Sequence, residues 1–217
     1  MMAILLKKIN GKISNSFLKL MFKKIFFLNI FFLITLSFNV YSFEKEAEQL
    51  VQSTTDNAKK IILDSNIKIA DKKKKIEAIA MNVVDVDGLG RFTLGSSRKD
   101  LNETQLKKYT EVFRVFFAKN ISSRLQNYSD QNIKVTGSKK ISDNYVLVNS
   151  KMVYKKDNQE IKIDWRVFNI NNKLVIRDLV VEGLSLAKTQ REEFGSILAS
   201  KGFDGLISNL SDFISKN

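Results

Sequence analysis

The chain has 217 residues, 44% of them hydrophobic, which suits one domain with a sizeable core. It has no histidine and no cysteine, which excludes imidazole acid–base chemistry, thiol nucleophiles, Cys/His zinc sites, disulfides and a cysteine-linked lipid anchor. The formal net charge is +13, but six lysines and no acids in residues 1–42 leave 30 basic against 23 acidic residues beyond them, a moderate +7. That balance suits an anionic membrane surface or an acidic partner, and equally a solvated, lysine-biased surface.

The amino end reads as a targeting segment. In MFKKIFFLNIFFLITLSFNVYS, Lys23 and Lys24 precede an apolar run over 25–38, and Val40 and Ser42 fit the small-residue positions of a cleavage site. The expectation is a cleaved secretory signal over residues 1–42, with Met21 as an alternative start and an uncleaved anchor as the alternative outcome. The mature chain then begins at Phe43 and is one exported domain, 43–217, for which nucleic acid is not an expected target.

Residues 43–82 read as helix, with Leu50, Val51, Ala58, Ile61, Ile62, Ile69, Ile76 and Ile79 near helical spacing and a break near Ala70-Asp71. The four lysines 72–75 face an anionic surface or, more plainly, form a solvated helix start. In DVDGLGRFTLGSS, Gly88, Gly90 and Gly95 punctuate a short helical segment. No strand precedes them and no Gly-Lys-Ser/Thr follows, so they form no phosphate loop. Asn102 with Gln105 predicts a capping box. The helix it opens carries Leu106, Tyr109, Phe113, Phe116, Phe117, Ile121, Leu125 and Tyr128 at steps of three and four. Such a stripe is either plain core or the wall of an apolar cavity.

The period then changes to two. Residues 133–141, 145–155, 160–170 and 173–181 read as four strands, parted by turns at 142–144, 156–158 and Asn171-Asn172, and connections this short force an antiparallel meander. Ile163, Trp165 and Val167 share one face; Lys162, Asp164 and Arg166 share the other, which is expected to stay wet. An apolar sheet face needs a cover, and the helices at both ends are the available covers. The fold class is therefore α+β: a four-stranded antiparallel twisted sheet with helices from both ends on its apolar face. After Glu182-Gly183, Ser185 caps a helix through Lys201, Gly202 is its left-handed stop, and Asp204 caps a second helix.

The string DWRVFNINNKLVIRDLVVEGLSLAKTQREEFGSILASKGFDGLISNL resembles the carboxyl-terminal signature of the MlaC family, through Trp165, Asp178, Glu182-Gly183, Ser185, Arg191, Phe194, Gly202 and Asp204-Gly205-Leu206. Residues 85–95 and the helix 105–128 resemble its amino half; Arg98 and Leu174 stand where that family often has tryptophan. The resemblance implies a soluble periplasmic phospholipid carrier between an inner-membrane MCE-type ABC transporter and an outer-membrane lipoprotein complex, serving outer-membrane lipid asymmetry, with no cofactor, no metal and no catalytic residue. It implies acyl chains held between sheet and helices. The candidate pocket residues are Phe113, Phe116, Phe117, Ile121, Val146, Val148, Ile163, Trp165, Val167 and Ile176. The family-motif residues have plainer readings as well: Gly183 permits a turn, Ser185 caps a helix, and Asp178 pairs with Arg191. In the functional version, Arg191 or a lysine meets phosphate. The competing readings are a small-molecule enzyme of a cone-shaped α+β fold with Asp164 or Asp178 as a buried general base, and a scaffold bridging transporter parts.

Overall fold

The polar trio Asp64-Ser65-Asn66 sets the first corner. Asp64 Oδ1 accepts from the Asn66 N–H at 2.8 Å and the Asp64 carbonyl from the Ile67 N–H at 3.4 Å, so the chain turns locally and stops propagating helix. Helix α1 (Phe43–Leu63) therefore ends before this turn and α2 (Ile69–Val83) begins after it. The break lies at 64–68 and not at Ala70-Asp71, which sit in the first turn of α2. The computed structural model describes residues 42–124, 131–154 and 159–217. The expected signal segment lies outside these residues except for Ser42, as do Leu125, Tyr128 and the turn at 156–158.

Short helix α3 (Val86–Thr93) and a 3-10 turn (Gly95–Asp100) lead into α4 (Glu103–Ser123). The capping box is complete: Asn102 Oδ1 accepts from the Gln105 N–H at 2.9 Å and Gln105 Oε1 from the Asn102 N–H at 3.0 Å. Strands β1 (Asn132–Ser142), β2 (Tyr145–Val153), β3 (Glu160–Ile170), β4 (Lys173–Val181) and β5 (Leu184–Ser185) form one antiparallel meander in sequence order. The two-residue turns Asn171-Asn172 and Glu182-Gly183 have positive φ at both positions (51° and 61°, 49° and 83°), the backbone that joins twisted antiparallel strands tightly. The second of these turns folds Leu184 and Ser185 back on Val181 and Val180 as a fifth strand, where the sequence predicts four.

Helix α5 (Leu186–Lys216) starts on the Ser185 cap, whose Oγ accepts from the Lys188 N–H at 3.1 Å. It breaks at Gly202, with φ 67° and ψ −170°, as its glycine predicts. A Cβ on Gly205 would stand 2.3 Å from the Lys201 Cβ, so the break needs both glycines. Residues 41–217 form one compact unit with two apolar clusters. Helix α1 lies across β1 and β2, whereas α5 reaches the sheet at β4 and packs its apolar stripe on α3 and α4. The α+β architecture is the one the patterning predicts.

Candidate functional site

Alternation on β2 and β3 places Val146, Val148, Ile163, Trp165 and Val167 on one face, joined by Ile176 of β4; all six are buried, with Ala47 and Val51 of α1 against them. The one polar atom of this face that the indole brings, Trp165 Nε1, donates to Ser150 Oγ at 2.9 Å, and that hydroxyl donates to the Ile163 carbonyl at 3.0 Å. A buried indole keeps its hydrogen bond this way at no loss to the apolar surface around it. Sequence patterning gives no sign of Ser150, which occupies a core-facing position of β2.

The second cluster is aromatic and helical. Phe113, Phe116 and Phe194 are buried together with Tyr109, Leu206, Ile207 and Leu210. Phe194 meets Tyr109 and Phe113 edge to face at 6.4 and 6.3 Å, and Phe213 meets Phe116 at 5.0 Å. Phe117 is half-buried beside Phe113 at 6.4 Å. Gly90 allows α3 to press on this ring set, since a Cβ there would come within 2.9 Å of the Phe113 ring. The Tyr109 hydroxyl shares a 2.8 Å hydrogen bond with Thr93 Oγ1, and burial pushes the phenol above its usual range.

The ten candidate pocket residues thus fall into two groups. Phe113, Phe116 and Phe117 belong to the helical cluster; Val146, Val148, Ile163, Trp165, Val167 and Ile176 belong to the sheet cluster. Ile121, half-buried near the end of α4, is in neither. Val84 packs against both. It is fixed there by backbone pairing with Ile176 and by the Asp85 N–H donating to the Ile176 carbonyl at 3.0 Å.

The motif residues organise the chain ending. Asp178 is buried and accepts from Ser185 Oγ at 2.6 Å and from the Ala187 N–H at 2.9 Å, with Arg166 Nη1 at 3.5 Å. Its charge therefore sits at the amino end of α5, where a carboxylate is favoured. Arg191 is not its partner: that guanidinium lies 5.3 Å over the Phe92 ring, against Gly95. Glu182 has a role the sequence does not announce. Its N–H donates to the Lys162 carbonyl at 3.0 Å and its carboxylate accepts from the Lys162 N–H, continuing the β3–β4 ladder where the backbone has already turned away. Gly183 supplies the turn, Gly202 the break, and Asp204 is exposed just beyond it.

The other sheet face is only partly wet, unlike the expectation. Tyr145 stacks on Phe168 at 4.5 Å with planes 2° apart, Arg177 lies 5.1 Å over Phe168, and Arg177 pairs with Asp85 at 2.7 Å. Burial raises the Tyr145 phenol. Arg166 Nε is buried here without a hydrogen-bond partner among the described residues. Asp164 does point to this face, where Asn149 Nδ2 donates to it at 2.7 Å and Lys162 Nζ lies at 3.3 Å.

A meander with one apolar face, joined to a separate apolar helical layer, defines an α+β protein with two apolar clusters. The family model described as MlaC protein matches residues 52–212, well over half of the chain, and the chain belongs to the MlaC family. The intermembrane phospholipid transport system binding protein MlaC of Haemophilus influenzae is 24% identical over 174 residues, covering 77% of this chain and 81% of that protein. The fold is similar to that of the phospholipid-binding protein from Ralstonia solanacearum, solved in complex with a phospholipid. The TM-score is 0.67 at 17% identity, over 78% of this chain and 97% of the other.

Proposed function

We propose that this chain is a periplasmic phospholipid carrier. It moves lipid between an inner-membrane MCE-type ABC transporter and an outer-membrane lipoprotein complex and so serves outer-membrane lipid asymmetry. The observation that carries the reading is membership of the MlaC family across 52–212, supported by relatives named for phospholipid transport and phospholipid binding. Export by the lysine-flanked segment at 21–42 places the carrier outside the cytoplasm; its mature form begins at Phe43.

The physical task is to hide hydrocarbon. A two-chain lipid carries about 30 methylenes at about 0.8 kcal/mol each, so about 24 kcal/mol of unfavourable hydration must be avoided in transit. A carrier needs apolar walls on more than one side, and two apolar clusters support the reading: the sheet face with Trp165, and the rings of α4. The acyl chains lie along the seam between them, where Val84 is the shared side chain, with Phe113, Phe116, Phe117 and Ile121 on one wall and Val146, Val148, Ile163, Trp165, Val167 and Ile176 on the other. No catalytic step is involved. Asp164 and Asp178, the carboxylates an enzyme reading requires, are both engaged in hydrogen bonds and ion pairs that hold strands and a helix start.

Mass spectrometry of lipid extracted from the purified exported protein tests this directly. Bound phospholipid near one per chain is expected; protein free of phospholipid after mild purification, and unable to take it up from vesicles, overturns it. Amino-terminal sequencing of the same material should start at Phe43, and an intact Ile30 would contradict the export step.

A further inference from the structure

Most of the net charge of residues 43–217 is gathered at one corner. Residues 59–75, the end of α1 through the start of α2, contain seven lysines and two aspartates, a net +5, while the whole of 43–217 carries +7. The same corner exposes two large aliphatic side chains, Leu63 at 54% and Ile69 at 56%. Two lysines brace it: Lys72 Nζ donates to the Ile62 carbonyl at the end of α1, and Lys59 Nζ donates to Asn132 Oδ1 at 2.8 Å. Lys60, Lys68, Lys74 and Lys75 are exposed on the same stretch of chain. Asp56, Lys59, Lys60, Leu63 and Asp64 line a shallow, open depression on the α1 side.

We propose that this α1–α2 corner docks on an anionic phospholipid membrane surface, Leu63 and Ile69 entering the interface while the lysine ammonium groups meet lipid phosphates. Exposed aliphatic side chains flanking a turn, on a stretch rich in long lysines whose stems can cover apolar ground while their heads stay hydrated, match the requirements of interfacial binding. An acidic protein surface suits the corner less well. Protein interfaces concentrate aromatic and arginine side chains, whose planar groups make directed contacts. Residues 59–75 contain neither; their cations are all lysine, which acts as a point charge on a diffuse negative surface. The corner thus brings the carrier to the bilayer without requiring any residue of the proposed acyl walls.

The test is co-sedimentation of the mature, lipid-loaded protein with vesicles of phosphatidylcholine alone or with one-third phosphatidylglycerol. Binding is expected only to the anionic vesicles and should weaken as salt rises, since contacts at an exposed surface are screened. Leu63→Ser with Ile69→Ser, and separately Lys74→Glu with Lys75→Glu, should each weaken it by about tenfold or more. Lys107→Glu with Lys108→Glu makes the same change in net charge on exposed positions of α4, roughly 20 Å along that helix from Ser122, which bonds Glu77 of α2 at 2.6 Å, and should change it by less than about twofold. Phospholipid content per chain is measured in every variant and should stay constant, which separates failure here from failure of the carrier reading. Equal binding to both vesicle types, equal loss from the α4 control, or wild-type binding by the corner variants overturns the proposal. No binding to either vesicle also overturns it and leaves the corner to an acidic protein partner.

Discussion

The helical layer and the sheet layer bury their apolar side chains in different ways. Between α3, α4 and α5 the contacts are ring against ring: Tyr109, Phe113, Phe116, Phe194 and Phe213 meet at defined angles, and Gly90 is small because a ring needs its space. On the sheet the fully buried apolar side chains are valines, 146, 148 and 167, with Val51 and Ala47 of α1 facing them. Rings fix their neighbours through shape and quadrupole, whereas small branched side chains leave a smoother aliphatic wall. The comparison predicts that the ring layer holds the fold rigid and that, under the proposed function, the sheet wall is the one that adapts to an acyl chain; each half can be tested by substitution.

The largest effect is expected at the centre of the ring cluster. Phe194, 1% exposed, touches Tyr109, Phe113 and Phe116, so Phe194→Ala should cost about 3–5 kcal/mol in urea unfolding. If Phe117→Ala, at the half-buried edge, costs clearly less while lowering phospholipid content, the rings divide into a structural centre and a lipid-facing rim. Full core losses at both Phe116 and Phe117 with unchanged lipid content would make the whole stripe core and move the proposed wall elsewhere.

Next in size is the Asp178 tie, which joins the sheet to α5. Asp178→Ala strands Ser185 Oγ, the Ala187 N–H and the Arg166 guanidinium, and should cost about 2–3 kcal/mol, the ion-pair part being reduced because Arg166 is partly exposed. Ser185→Ala alone should cost about 1 kcal/mol as a lost cap. A double-mutant cycle should show the two coupled by at least about 0.5 kcal/mol; simple additivity would mean the carboxylate works without the serine.

The elements of both layers are readable in the sequence because each announces itself locally. Asn102 with Gln105, Ser185, Gly202 and the alternation through Trp165 all predict what the structure contains. What faces what is not local. Period 3.6 identifies the buried stripe of α4 but not its partners, which are α3 and α5, so Phe113 and Trp165 end in separate clusters. The sequence pairs Asp178 with Arg191, but the β3–β4 register brings Arg166 opposite it instead. The α1–α2 corner is displaced by a similar competition: the Asp64 carboxylate accepts from the Asn66 N–H before the helical pattern runs out at Ala70. Glu182 was hidden because its role uses a side-chain oxygen in place of a ladder carbonyl.

In the sheet layer the corresponding change is smaller. Trp165→Phe keeps most of the apolar area and removes the hydrogen bond to Ser150, whose hydroxyl retains the Ile163 carbonyl as a partner, so a cost of about 1–2 kcal/mol is expected. As the only tryptophan, Trp165 also reports on the wall. Phospholipid with brominated acyl chains should quench its fluorescence in the loaded protein. Absence of quenching at full loading would remove the sheet face from the proposed lipid site and leave the helical rim alone.

The smallest effect belongs to the outer clamp of the helical layer, and its sign with pH is fixed by geometry. Asp87, in the first turn of α3, pairs bidentately with Arg114 of α4, whose Nε donates to Oδ1 at 2.7 Å and whose Nη2 donates to Oδ2. That hydrogen bonding, then the guanidinium charge, holds the Asp87 carboxyl below its ordinary value of 3.8. A folded-state pKa lower than the unfolded one means folding favours the ionised form, so the contribution is complete above the ordinary value and disappears as pH falls through the lowered one. Both side chains are more than a third exposed, at 53% and 37%, which limits the pair to about 0–1 kcal/mol after screening. The expected result is that Asp87→Asn lowers the urea midpoint slightly at pH 7 and less at pH 3, with the difference between the two proteins shrinking further in high salt. A difference that grows on acidification would show that Asp87 is not held ionised by Arg114, and that α3 is pressed onto α4 by the rings alone.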